Sequence, residues 1–144
     1  MAVYSVRIKK LHPDSKLPTY AHESDAGMDL YTHEGFTLAA KDFKTIPLGI
    51  AIELPPYLFG LIRPRSGLAT QYGITTLSSG IIDPGYRGEI HVGLINLGST
   101  FFTRSKYAKI AQLIILPFTK VYWEEVEELN PSDRGERGHG STGY

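Results

Sequence analysis

Short runs of alternating apolar and polar residues, each closed by Gly, Pro or Asn, limit this chain more than any other feature. Ile46, Leu48, Ile50, Ile52 and Leu54 alternate over nine residues, the period at which successive side chains reach opposite faces of a strand. Pro47 lacks an N–H, so its place in that run argues for a sheet edge or a strand start. Tyr4, Val6 and Ile8 alternate in the same way, as do Ile90, Val92 and Leu94 before the Asn96-Leu97-Gly98 turn. Leu58–Ile62 is closed by Arg63-Pro64, and Ile110–Leu116 is nearly continuous, as suits a strand buried on both faces. Lys120–Val126 reads as a last strand, with the Glu124–Glu128 cluster as its solvated end. One segment reads as helix: Ser66 caps a turn or two through Leu68–Tyr72, and Gly73 takes the left-handed closing position. About eight or more strands, with turn signals roughly every eight to twelve residues, favour an all-β barrel, sandwich or jelly roll over a parallel α/β design.

The 144 residues allow one domain, 1–144, because two would each be too small to build a good core. Residues 132–144 differ from the rest: they hold four Gly, no aliphatic residue, and only His139 and Tyr144 as rings. Their composition predicts a mobile C-terminal arm on a β body of residues 1–131. Lys plus Arg number 15 and Asp plus Glu number 15. Such a balance lacks the basic excess that holds proteins on nucleic acid or an anionic membrane, so neither is expected as a partner. Cysteine is absent, which excludes disulfides, zinc–thiolate sites and thiol catalysis. The stretch around Leu113–Leu116 falls far short of the ~20 residues of a membrane span. Met-Ala-Val-Tyr-Ser-Val-Arg is not a signal peptide, so a soluble, cytoplasmic protein is expected.

Four segments carry candidate chemistry. Arg63-Pro64-Arg65-Ser66-Gly67 sets two guanidinium groups, a hydroxyl and free N–H groups at a helix start, a combination suited to phosphate. The plain alternative is an ordinary capped helix with solvated arginines. Gly80-Ile81-Ile82-Asp83-Pro84-Gly85-Tyr86-Arg87-Gly88 predicts a hairpin with a type II turn at Pro84-Gly85. A carboxylate held there can act as a general base, or merely bond its own turn backbone. Asp25 and Asp29 stand four apart and suit a hard cation such as Mg²⁺, or are simply solvated acids of a turn. Arg134–Gly143 alternates Gly with Arg, Ser and Thr, which lets N–H groups approach phosphates, though it lacks the Lys and following helix of a P-loop. The five His, at 12, 22, 33, 91 and 139, show no metal spacing. Taken together the segments point to a phosphate-bearing small molecule.

These residues resemble, block by block and in order, the five motifs of the trimeric dUTPases. The blocks are Ala26-Gly27-Met28-Asp29-Leu30, Arg65-Ser66-Gly67-Leu68-Ala69, Gly80–Gly88 running on to Asn96, Ala108–Ile114, and Arg134–Gly143. The resemblance covers nearly the whole chain. It implies an all-β, jelly-roll-like distorted barrel of the β-clip type, with one short helix and a mobile glycine-rich arm. It also implies a homotrimer with active sites between subunits, and Mg²⁺-dependent hydrolysis of dUTP to dUMP and pyrophosphate. That activity limits uracil in DNA and supplies dUMP.

The resemblance further assigns roles. Asp83 would activate water for attack on the α-phosphorus. Backbone groups near Gly80 and Ile82 would read uracil in the hairpin, Ser78 and His91 would belong to the substrate site, and Tyr86 would pack on deoxyribose and exclude a 2′-hydroxyl. Arg65, Ser66, Gly67 and Gln112 would hold phosphates, and Asp29 would reach Mg²⁺ through water. Arg134, His139, Gly140, Ser141 and Thr142 would close over the substrate. His139 stands where the family usually has Phe, Arg137 replaces a common Gly, and Leu77-Ser78-Ser79-Gly80 replaces a frequent Asn-Ser-Pro-Gly. Asp83-Pro84-Gly85-Tyr86 also resembles the dCTP deaminases, but their catalytic Glu in a Thr-Leu-Glu stretch is matched here by His91-Val92-Gly93. A deaminase-related enzyme and a non-catalytic nucleotide-binding module of the same fold are the alternatives.

Overall fold

The computed structural model describes residues 3–78 and 80–139. Along them run β1 (Arg7–Lys10), β2 (Met28–Tyr31), β3 (Phe36–Leu38), β4 (Phe43–Pro47), β5 (Ile50–Glu53), β6 (Leu58–Arg63), α1 (Ser66–Tyr72), β7 (Ile74–Thr76), β8 (Ile81–Ile82), β9 (His91–Asn96), β10 (Phe102–Arg104) and β11 (Lys109–Pro117). Every ladder is antiparallel. The sheets run β2-β11-β6-β8, β4-β9-β7, β1-β5 and β10-β3. This is the expected all-β, jelly-roll-like architecture with one short helix.

The alternating runs account for the core. Leu30, Leu38, Ile46, Leu48, Ile50, Leu94 and Ile110 are each at most 2% exposed, and burying such a side chain stabilises by about 1.5–3 kcal/mol. β11 lies between β2 and β6, which explains its nearly unbroken apolar sequence. Ile110, Ala111 and Leu113 are buried there, while Ile114, Ile115 and Leu116 are only half-buried.

Three local readings are corrected. The run from Ile46 to Leu54 is one buried row but two strands, broken at Gly49, whose φ is +69°. Ile90 spans the bend, accepting from Leu48 N–H at 3.1 Å and donating to Ile50 O at 2.8 Å. Pro47 closes the edge strand β4, where a missing N–H does no harm. Ser66 is the first helical residue and not the cap: Arg65 holds the N-cap in extended conformation with no side-chain cap bond. Gly73 does close the helix left-handed, at φ 71°. Lys120–Val126 forms no strand. Within one chain no edge receives it, and Tyr122 and Trp123 stand 100% and 94% exposed.

Candidate active site

Two chemically different clusters emerge. The first is the hairpin. β8 pairs with β6 through Gly60↔Ile82 and Leu61↔Ile81. Ile62 N–H reaches Gly80 O at 2.8 Å. Gly80 has φ +66°, and a Cβ there would lie 2.7 Å from the Ile62 carbonyl oxygen, so the hairpin can press onto β6 only with glycine. Asp83–Tyr86 is a β-turn closed by Tyr86 N–H to Asp83 O at 3.0 Å. Gly85 does not take the left-handed conformation, so the expected type II turn is corrected. Arg87 stiffens the turn by donating to Pro84 O at 2.6 Å and to Tyr86 O at 3.0 Å.

That hairpin borders a cleft of about 300 Å³. Ser78, Gly80, Ile82, Asp83, Tyr86 and His91, all singled out from the sequence, line it together. Ile62, Ile81, Glu89 and Ile90 complete the wall and were not singled out. Asp83 is exposed, and among the described residues its carboxylate accepts no hydrogen bond and forms no ion pair. The alternative in which it merely braces its own turn is therefore not what the structure shows. Arg87 does the bracing, and the carboxylate is left available.

The second cluster lies where β2, β11 and the start of α1 meet. Register places Gln112 opposite Asp29 on one side and Arg63 on the other, so the central strand brings three sequence blocks together. Asp29 Oδ1 is 3.3 Å from Arg65 Nε, and Oδ2 is 2.6 Å from Lys109 Nζ. The Asp29 side chain is only 12% exposed. Its negative charge raises the Lys109 pKa above the usual lysine range, mainly through the hydrogen bond between them. Arg65 Nη1 also donates to Lys109 O at 3.4 Å, and Gln112 Nε2 donates to Pro64 O at 3.0 Å. Two cations against one anion leave this corner net positive. Among the described residues Ser66 Oγ has no hydrogen bond, and nothing crowds Gly67. Asp25 does not join: its carboxylate accepts the His22 N–H at 2.9 Å and braces that turn. Lys109 was missed as a site residue although its block was recognised, because its pairing with Asp29 depends on strand register.

The arm is not brought to either cluster. Among the described residues, 132–139 are all exposed and bond to one another. Arg134 Nε donates to Arg137 O at 2.8 Å, and Arg137 Nε donates to Arg134 O at 3.0 Å. His139 does not line the cleft. Gly140, Ser141 and Thr142 lie outside the described residues. No side-chain hydrogen bond or ion pair among the described residues joins the hairpin cleft to the Asp29 cluster.

The fold is all-β, and the two clusters carry an unpaired carboxylate and a cationic corner. A family model for dUTPase matches residues 14–143. A deoxyuridine 5'-triphosphate nucleotidohydrolase of Clostridioides difficile is 46% identical over 143 residues, 99% of this chain and 100% of that one. One from Clostridium tetani is 50% identical over 144 residues, 99% of each. A solved Staphylococcus bacteriophage 80alpha dUTPase G164S mutant with dUpNHpp superposes with a TM-score of 0.92 at 25% identity, covering 99% of this chain and 100% of that one. The chain belongs to the dUTPase family, whose enzymes are dUTP diphosphatases.

Proposed function

We propose that this chain hydrolyses dUTP to dUMP and pyrophosphate, with Asp83 as the base. The observation that carries the reading is the unpartnered Asp83 carboxylate on a braced hairpin, at the edge of a cleft of about 300 Å³. Water held by Asp83 attacks the α-phosphorus. An O–P bond forms, the bond from the α-phosphorus to the bridging oxygen breaks, pyrophosphate leaves and the water proton passes to Asp83. Uracil occupies the hairpin by Gly80 and Ile82, with Ser78 and His91 at its rim. Tyr86 packs on deoxyribose. Arg65, Ser66, Gly67 and Gln112 hold phosphates and stabilise the charge that develops on the leaving group.

Mg²⁺ belongs to the proposal as the triphosphate's counter-ion. A metal held by protein ligands does not fit the described residues. They contain no group of three or more His, Cys, Asp or Glu placed so as to hold a metal ion. Both Asp29 oxygens already face cations. Bound with substrate, the ion would screen phosphate charge, and Asp29 would act on it through water.

We further read the working unit as a homotrimer with each site shared between subunits. The separation of hairpin and cationic cluster within one chain supports this, as do the uncovered Tyr122 and Trp123. The arm, with Arg134, His139, Gly140, Ser141 and Thr142, closes over the substrate from a neighbouring subunit. The cellular role is to limit uracil in DNA and to supply dUMP. No helix of the described residues is long and apolar enough to cross a membrane.

The test is purified protein incubated with dUTP, dCTP, dTTP and UTP. Pyrophosphate release from dUTP alone is expected. Uracil nucleotide formed from dCTP would instead identify a deaminase, and dUTP binding without turnover a regulatory module.

A further inference from the structure

We propose that Glu89 is a positioning residue that ties the deoxyribose-facing Tyr86 to the Gly49 bend in the core. The inference rests on the dUTPase reading above for the role of Tyr86, but its structural part stands without it. At the bend, backbone bonds run from Leu48 N–H to Ile90 O and from Ile90 N–H to Ile50 O. The intervening Gly49 N–H is turned off this ladder by its left-handed backbone. Glu89 Oε1 accepts it at 2.8 Å. Gly49 is itself fixed, because a Cβ there would collide with Ser15 Oγ and lie 3.1 Å from His33 Cγ.

The same residue then holds two cleft side chains through its backbone. Glu89 O accepts the Tyr86 hydroxyl at 2.9 Å and faces His91 Nδ1 at 3.0 Å. Glu89 Oε2 lies 3.7 Å from His91 Nε2. Tyr86 folds back over Gly88, where an added Cβ would sit 2.5 Å from its hydroxyl. Without the carboxylate, Gly49 N–H loses its acceptor, and the Glu89–Ile90 peptide whose carbonyl Tyr86 grips is held on this side only by its Ile90 N–H bond to Ile50 O. The ring that rejects a 2′-hydroxyl would then be held less firmly.

The experiment compares wild type, Glu89→Ala, Glu89→Gln, Tyr86→Phe and the Ala/Phe double variant. It reads kcat/KM for dUTP and for UTP, and Gly49 amide exchange by NMR in the free protein. Glu89→Ala should lower the dUTP/UTP ratio about tenfold. Glu89→Gln keeps an acceptor oxygen and should hold the ratio within about twofold. Tyr86→Phe should match Glu89→Ala, and the double variant should lose no more than either. An unchanged ratio in Glu89→Ala, or losses that multiply to about a hundredfold in the double variant, overturns the proposal. Should Glu89→Ala not fold, Glu89→Asp withdraws the carboxylate by one methylene and carries the same expectation. A wild type that does not turn over dUTP removes the dUTPase reading alone. Gly49 exchange still reads the tether: about tenfold faster in Glu89→Ala than in wild type or Glu89→Gln supports it, and equal rates sink it.

Discussion

Asp83 and Asp29 carry the same carboxylate into opposite surroundings. Asp83 is exposed on a hairpin whose bracing is done by Arg87, and among the described residues nothing pairs with it. Asp29 sits at the β2–β11 junction, only 12% exposed, with Arg65 on one oxygen and Lys109 on the other. A group whose lone pairs are already taken by two cations has none left to aim at a water, while a free one on a stiff support can hold and orient one. The contrast teaches that a carboxylate's availability follows from what its surroundings leave undone. The hairpin spends Arg87 on its own turn and leaves Asp83 available. The strand junction spends Asp29 on holding its cations in place.

The most direct way to break this contrast is Asp83→Asn. Turnover of dUTP should fall by about 10³-fold, within the range for loss of a general base, while calorimetric binding of dUTP persists. A kcat within fivefold of wild type, on the order of a single kcal/mol, would make Asp83 no more than a turn residue. Next in size is removal of residues 132–144. The described part of this arm, 132–139, bonds only to itself. The truncated protein should therefore keep its thermal midpoint while losing about 10²-fold in kcat/KM, the scale of a lost closing element. If the truncation unfolds the protein, the arm is structural and supplies no closure to the Asp83 side.

Asp29→Asn asks whether the second carboxylate is chemical or positional. Freed of its anion, the corner gains positive charge, so inorganic triphosphate should bind at least as tightly. Productive turnover should nevertheless fall by about tenfold, because Arg65 and Lys109 lose their fixed partner. A loss as large as that of Asp83→Asn would erase the distinction between the two acids. The pairing also has a pH signature. Asp29 raises the Lys109 pKa above its usual 10.5. The pair's contribution to stability is thus complete below 10.5 and is lost as pH climbs through the higher folded-state value. Lys109→Met should accordingly lag wild type in thermal midpoint at neutral pH and converge with it at strongly alkaline pH.

How legible all this is in the sequence depends on how local each cause is. Alternation at Ile90, Val92 and Leu94 is a local pattern and predicts the buried row of β9 correctly. Gly73 closes α1 for a local reason too. The break at Gly49 is not local: it depends on Ser15, His33 and Glu89 arriving from elsewhere, so a clean period of two conceals it. Lys120–Val126 has strand-like residues but pairs with no strand within one chain. Six of the hairpin candidates are gathered in one cleft because they lie close in sequence on one stiff turn or on β9 beside it. Lys109 and Glu89 escaped notice because each matters through a partner tens of residues away, Asp29 and Gly49 respectively.

A third carboxylate completes the contrast with the smallest expected effect. Asp14 is half-exposed like a surface acid yet paired like Asp29, with Lys106 Nζ on its Oδ2 and the Tyr107 hydroxyl at 3.0 Å. Those contacts, Lys106 foremost, lower its pKa from 3.8 to about 2. The unfolded chain therefore takes up the proton first as the solution is acidified. Any stability the pair gives is present above about pH 4 and is lost between there and about pH 2. Solvent and salt screen an exposed pair, so its worth is slight. Asp14→Asn should lower the thermal midpoint marginally at pH 7, less still in high salt, and not at all below pH 2. It should leave dUTP turnover alone, since neither cluster touches this residue. A drop in turnover on Asp14→Asn would mean that pairing alone, without burial at the strand junction, ties a carboxylate to the site, and that the setting of Asp29 is less particular than its geometry indicates.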